Sequence, residues 1–120
     1  MTKSTLVVGA SLNESRFSNQ CVKTLVSAHF PVTALGLREG KIDGTHVQSG
    51  FPELHDIHTV TFYLGPQNQV SWYDYILKLK PKRVVFNPGT ENLEFEDMLS
   101  GNGIEVVEDC TIMMVQGGRY

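Results

Sequence analysis

Cysteine is scarce: Cys21 and Cys110 are the only two in 120 residues, too few for a disulfide scaffold. A basic surplus is missing as well. Ten Lys+Arg stand against thirteen Asp+Glu, a net charge of −3, which is the wrong balance for a general nucleic-acid binder. No apolar run approaches the length of a membrane span. The run Leu6 to Ala10 is too short for the core of a secretory signal, so Asn13-Glu14-Ser15 is read as a chance match to a glycosylation sequon. Internal repeats, G-x-S-x-G and the Walker A pattern are all absent. The expectation is a single domain over residues 1–120 in the reducing cytosol, with no membrane and no nucleic acid as partner.

What is present is enough for a core: 41% of residues are hydrophobic and 19% charged. Leu6 to Ala10 is short and continuously apolar, as a strand buried on both faces should be. Asn13 and Ser15 are cap residues for a helix whose apolar stripe is Phe17, Cys21, Leu25 and Ala28, widened by Val22 and ended by Pro31. Val32 to Leu37 is a second strand. Arg38 to His58 is broken by Gly40, Gly44 and Gly50 and reads as a loop, with a short extended piece at Thr45–Gln48 and a helical turn near Glu53–Asp56. Thr59 to Leu64 is a third strand, and Gly65-Pro66 turns the chain into a helix with the stripe Val70, Tyr73, Ile76 and Leu77. Arg83 to Phe86 is a fourth strand, followed by the tight turn Asn87-Pro88-Gly89-Thr90. Phe95, Met98 and Leu99 mark another helix, which Thr90 or Asn92 can cap, and Ile104 to Val107 is a fifth strand. Thr111 to Val115 fits either a last short strand or a helical turn.

Strands that alternate with helices are parallel strands joined by right-handed crossovers. The sequence therefore predicts an α/β fold: a doubly wound, mainly parallel five-stranded sheet with helices on both faces. Ligands of such sheets bind where the strands end, so function belongs to the loops after Gly9, Leu37, Leu64, Asn87 and Glu108.

The first of these loops is Gly9-Ala10-Ser11-Leu12, with Arg16 and Ser18 beyond it. It stands where a dinucleotide fold carries G-x-G-x-x-G, of which only the first glycine is present. A tight turn into a helix still offers backbone N–H groups and a positive dipole end to a phosphate. At the end of the second strand stands Arg38, where NAD-binding domains place an acid; an arginine suits a phosphorylated ribose, as in NADP or coenzyme A. Glu39 is adjacent and can take the acidic role after a one-residue shift. Leu64-Gly65 and Asn87-Pro88-Gly89 are the other two turns at strand ends, with glycines that let a ligand approach the backbone. His29, His46, His55 and His58 do not form a metal-ligand set. Cys110 follows Glu108-Asp109, acids that disfavour a thiolate, and Cys21 lies on the apolar stripe. No nucleophile with its base and no acid–base pair is visible, so the sequence offers no catalytic residue and no metal ligand.

These pieces, in this order, resemble the small single-domain CoA-binding proteins, whose fold is that of the N-terminal domain of the succinyl-CoA synthetase alpha subunit. The resemblance runs from about Thr5 to Met114. It is carried by Val7-Val8-Gly9-Ala10-Ser11 with Arg16 and Ser18, by Arg38, by Gly44-Thr45-His46-Val47, by Val84-Val85-Phe86-Asn87-Pro88-Gly89 and by Glu108-Asp109-Cys110-Thr111-Ile112-Met113. Two places depart from the family: Gly36-Leu37 stands for its Asn-Pro, and Leu64-Gly65-Pro66 lacks its basic residue. The resemblance implies a Rossmann-like domain that binds coenzyme A or an acyl-CoA without catalysis of its own, alone or with a protein partner or second copy. The alternative that the residues leave open is an NADP- or NAD-binding domain serving redox sensing or a separate catalytic chain.

Overall fold

The computed structural model describes residues 3–120. The chain runs β1 (Thr5–Ala10), α1 (Phe17–Ser27), β2 (Val32–Gly36), β3 (Gly40–Ile42), β4 (Thr45–Gln48), β5 (Thr59–Phe62), α2 (Pro66–Gln69), a 3₁₀ turn (Val70–Trp72), α3 (Tyr73–Leu79), β6 (Arg83–Phe86), α4 (Leu93–Gly101), β7 (Glu105–Glu108) and α5 (Thr111–Gln116). The sheet has seven strands in the order β3-β4-β2-β1-β5-β6-β7. All neighbours are parallel except β3 and β4.

The five expected strands are all present, but the expected count is corrected to seven. The two additional strands form a hairpin inside the segment read as a loop. Its turn is Asp43-Gly44, with φ of 46° and 83°. Two positive φ values at the central residues make the primed turn that suits the twist of a two-residue hairpin, and Asp-Gly is its usual sequence. The helical turn expected near Glu53–Asp56 is also corrected. Residues 49–58 cross back from β4 to β5 without a helix, and Leu54 and Ile57 pack against the same core face as Leu35 and Val60. This extended segment covers the sheet where a crossover helix would lie.

Side chains alternate across the pleat, which divides the core in two. Leu6, Val8, Leu35, Phe62 and Phe86 meet Ile76 of α3 and Phe95 and Leu99 of α4. Val7, Ala34, Val47 and Val85 meet Cys21, Val22 and Leu25 of α1 and Met114 of α5. Helices therefore lie on both faces. Each fully buried Leu or Phe contributes about 1.5–3 kcal/mol, which is what holds these short elements in place. The segment from Thr111, open between strand and helix in the sequence, is the helix α5.

At the amino ends of the strands Arg83 is buried beneath the Tyr120 ring, 4.3 Å from its centroid, and donates to Thr59 Oγ1 at 2.8 Å. His58 lies beside it. Partial burial, then the positive charges of Arg83, Lys3 and Lys82, push the His58 pKa below its ordinary 6.5. The unfolded chain then binds more protons than the folded one just below that value, so stability is lost as pH falls through this window. His58→Gln should flatten the fall of urea stability between about pH 7 and pH 5; identical slopes in the two proteins would remove His58 from the account.

Candidate functional site

From β1 the chain proceeds to β2 on one side and later to β5 on the other, so the strand order reverses between β1 and β5. Loops leaving neighbouring strands in opposite directions open a crevice at their carboxyl ends. The structure has such a crevice, about 430 Å³, lined by Gly9, Ala10, Ser11, Leu12, Arg16, Phe17, Ser18, Leu37, Arg38, Tyr63 and Leu64.

Local sequence explains its walls. Gly9 has φ of 92° and sits at the register shift between Val8 and Ala10, so the strand breaks and the loop leaves the sheet. Gly36 lets β2 pass β1: a Cβ there would stand 2.1 Å from the Ala10 carbonyl oxygen. Asn13 and Ser15 do not cap α1 as the sequence suggested. Asn13 Oδ1 instead accepts from Ser15 N at 3.0 Å and Ser15 Oγ at 2.8 Å, and Ser11 Oγ accepts from Asn13 N at 3.1 Å. The N-cap is Arg16, and its side chain makes no capping bond. The first-turn N–H groups of Phe17, Ser18 and Asn19 thus have no intrahelical acceptor and stand at the positive end of an 11-residue helix. Buried Asn19 pins the loop by donating to the Ser11 carbonyl at 2.9 Å.

On the opposite wall Leu64 is held by Gln69, which donates to the carbonyls of Leu64 and Thr90 at 2.9 and 2.7 Å and accepts from Asn92 at 3.0 Å. Asn92 in turn caps α4 by accepting from Phe95 N at 3.2 Å.

The charge of the crevice opposes that of the chain. Arg16 and Arg38 enter no ion pair among the described residues. The nearby Glu14 is bound to Lys23 at 2.9 Å, and this partner holds its pKa below the usual carboxylate range. Glu39 is taken by Ser49 at 3.0 Å and lies outside the lining. Two unpaired guanidinium groups and an uncapped helix end therefore face one cavity, an arrangement that favours a multiply charged anion.

Of the residues expected from sequence, Gly9, Ala10, Ser11, Leu12, Arg16, Ser18, Arg38 and Leu64 converge on the crevice. Gly65, Asn87, Pro88 and Gly89 stand outside its lining. Gly65 heads α2. Pro88 and Gly89 form an exposed turn closed by Thr90 N on the Asn87 carbonyl at 2.9 Å, with Gly89 at φ of 92° as the third residue of a type II turn requires. Asn87 is buried and its side chain is fully engaged: it donates to Thr61 Oγ1 at 2.6 Å and to the Phe62 carbonyl at 2.8 Å, and accepts from Thr111 N at 2.9 Å. It clips β5, β6 and α5 together.

Three lining residues were not foreseen. Phe17, read as part of the buried stripe, overhangs the crevice; Ala28 is likewise exposed, and the buried residues of α1 are Ser18, Asn19, Cys21, Val22 and Leu25. Leu37 projects beside Arg38 and is 99% exposed. Tyr63 also lines the crevice, with its hydroxyl buried beside Cys21 and without a hydrogen-bond partner among the described residues. Burial pushes Tyr63 up and takes the Cys21 thiol to about 12. Cys110 is half-buried at the N-cap of α5, and both thiols are free. His55 meets Glu53 at 3.4 Å and His58 meets Thr59 Oγ1 at 2.7 Å, in separate places.

The family model described as a CoA binding domain matches residues 3–116. The crystal structure of an uncharacterized protein superposes with a TM-score of 0.96 at 42% identity, covering 100% of this chain and 99% of that one. A conserved hypothetical protein from Pyrococcus furiosus has a TM-score of 0.80 at 25% identity, covering 94% of this chain and 98% of its own. A protein from Thermus thermophilus shares the fold, with a TM-score of 0.87 at 21% identity and coverage of 99% and 91%. No match was found among curated proteins.

Proposed function

This chain belongs to the family of CoA binding domains, and from that premise we propose that it is a Rossmann-like module that binds coenzyme A or an acyl-CoA and performs no chemistry of its own. The observation that carries the reading is that Arg16 and Arg38, without ion partners among the described residues, line one crevice together with an uncapped helix end at the strand crossover. The N–H groups of Ser11 and Leu12 and the first turn of α1 hold the pyrophosphate, with Arg16 and the Ser11 and Ser18 hydroxyls beside it. Arg38 faces the ribose phosphate. Leu12, Leu37 and Phe17 give apolar surface to the base and the carbon chain. Gly65 and Gly89 leave the rest of the ligand room along the backbone; a Cβ at Gly89 would meet nothing within 4 Å. The two free thiols suit a reducing cytosol.

CoA should bind more tightly than dephospho-CoA. Arg38 is solvent-exposed, so its contact with the phosphate is discounted to about 1 kcal/mol, roughly fivefold in affinity. Calorimetric titration with CoA, dephospho-CoA and NADP measures it. Equal affinity for the two CoA forms would remove Arg38 from the site, and binding of NADP with neither CoA form would replace the ligand class.

A further inference from the structure

Three buried side-chain polar atoms have no hydrogen-bond partner among the described residues: Asn19 Oδ1, Tyr63 Oη and Arg83 Nη2. Native interiors satisfy nearly all such groups, so each exception needs a reason. Asn19 still spends its amide on the Ser11 carbonyl, and Arg83 still bonds Thr59 and stacks on Tyr120. Of the three side chains, Tyr63 alone makes no hydrogen bond at all among the described residues. Only the Cys21 thiol lies beside its hydroxyl, and a thiol is a weak acceptor.

Tyr63 also lines the ligand crevice. Its backbone is fixed, because its N–H donates to the Val8 carbonyl at 2.9 Å. Its ring packs against the half of the core that holds Cys21, Val22 and Met114. Ring packing alone therefore keeps the hydroxyl inward. Rotation about χ1 to another staggered position carries the phenol from Cys21 toward a crevice of about 430 Å³. The move costs ring burial but breaks no hydrogen bond.

The crevice lacks a donor on that side. Its unpaired cations, Arg16 and Arg38, stand in the loops after β1 and β2. On the other side of β1, the wall after β5 carries no charge from Tyr63 to Val70. Two residues of this wall line the crevice, Tyr63 and Leu64, and only Tyr63 has a polar side chain. A phosphate group at the first turn of α1 has more oxygens than that turn can satisfy. A phenol is protonated at neutral pH and meets them as a donor.

We propose that Tyr63 is a ligand-responsive binding residue, whose hydroxyl leaves Cys21 in the bound protein and donates to the pyrophosphate of coenzyme A; this deepens the CoA-binding reading and rests on it. Tyr63→Phe keeps the ring and removes the hydroxyl. Without ligand, the variant should unfold at a urea concentration about 0.5 M higher, because an unpartnered buried group is gone. It should nevertheless bind CoA about tenfold more weakly by calorimetry. Dephospho-CoA should lose the same factor, since the contact is with the pyrophosphate and not with the phosphate that Arg38 faces. Cys21→Ser, fully buried and outside the crevice lining, offers the phenol a stronger partner in its inward position. It should weaken CoA about threefold in the wild-type background and not in the Tyr63→Phe background. With ¹³Cζ-labelled tyrosine, the resonance that Tyr63→Phe deletes should move as CoA saturates the protein.

Unchanged CoA affinity in Tyr63→Phe, a urea midpoint that does not rise, or a Tyr63 resonance that stays fixed overturns the proposal and leaves the CoA-binding reading intact. An equal effect of Cys21→Ser in both backgrounds overturns the rotation. A loss confined to CoA, absent with dephospho-CoA, overturns the pyrophosphate contact. A wild type that does not bind CoA removes the reading and the proposal together.

Discussion

Gly9→Val should abolish CoA binding and leave a folded protein about 2–3 kcal/mol less stable. The cost has two parts. With φ of 92°, Gly9 occupies a backbone region that a β-branched residue enters only under strain. A Cβ there would also stand 3.0 Å from Leu64 Cδ2 and 3.1 Å from the Tyr63 carbonyl carbon. The leucine can swing aside, but the Tyr63 backbone is tied by its N–H to the Val8 carbonyl at 2.9 Å. Relief therefore has to come from moving the end of β1 or Leu64, and both are walls of the crevice. Gly9→Ala keeps both the strain and the Cβ contacts and leaves out only the two valine methyls, so it should cost less than Gly9→Val. Circular dichroism checks the fold, urea unfolding the stability and calorimetry the ligand. A folded Gly9→Val protein with unchanged CoA affinity would place the ligand elsewhere.

Asn87→Ala should cost about 3 kcal/mol of stability. Its buried side chain satisfies the Phe62 carbonyl and the Thr111 N–H and bonds Thr61 Oγ1. Each buried group left without a partner costs about 1–3 kcal/mol. Thr61 and Thr111 can still bond each other at 2.8 Å, which limits the loss. Urea unfolding followed by fluorescence of Trp72 measures it. A loss below about 1 kcal/mol would mean that water replaces the amide, and the turn after β6 would then owe its shape to Pro88 and Gly89 alone.

The two residues also show what could be read from the chain and what could not. Buried parallel strands are legible because both faces must be apolar, and Leu6-Val7-Val8 or Val84-Val85-Phe86 has no other reading. Strand β3 was missed because Gly40-Lys41-Ile42 is a three-residue edge strand with one buried side chain. The signal that could have found it was Asp43-Gly44. Phe17 was misassigned because helical spacing says which residues share a face, but not where the first turn overhangs a cavity. The crevice was legible because it follows from topology: strands that leave β1 in opposite directions bring Gly9, Arg16, Arg38 and Leu64 together whatever the details. Asn87 was not, since a turn asparagine does not disclose partners 24 to 26 residues away.

The account stands or falls on where CoA sits, and amide chemical shifts recorded while CoA is titrated into uniformly ¹⁵N-labelled protein locate it directly. The predicted result is saturable movement of the amides of Gly9 to Leu12, Arg16 to Ser18, Leu37, Arg38 and Leu64, with Asp43, Gly44 and Lys82 at the far edge of the sheet unmoved. Saturable shifts confined to the far edge, or none at CoA concentrations that saturate known binders, would contradict it.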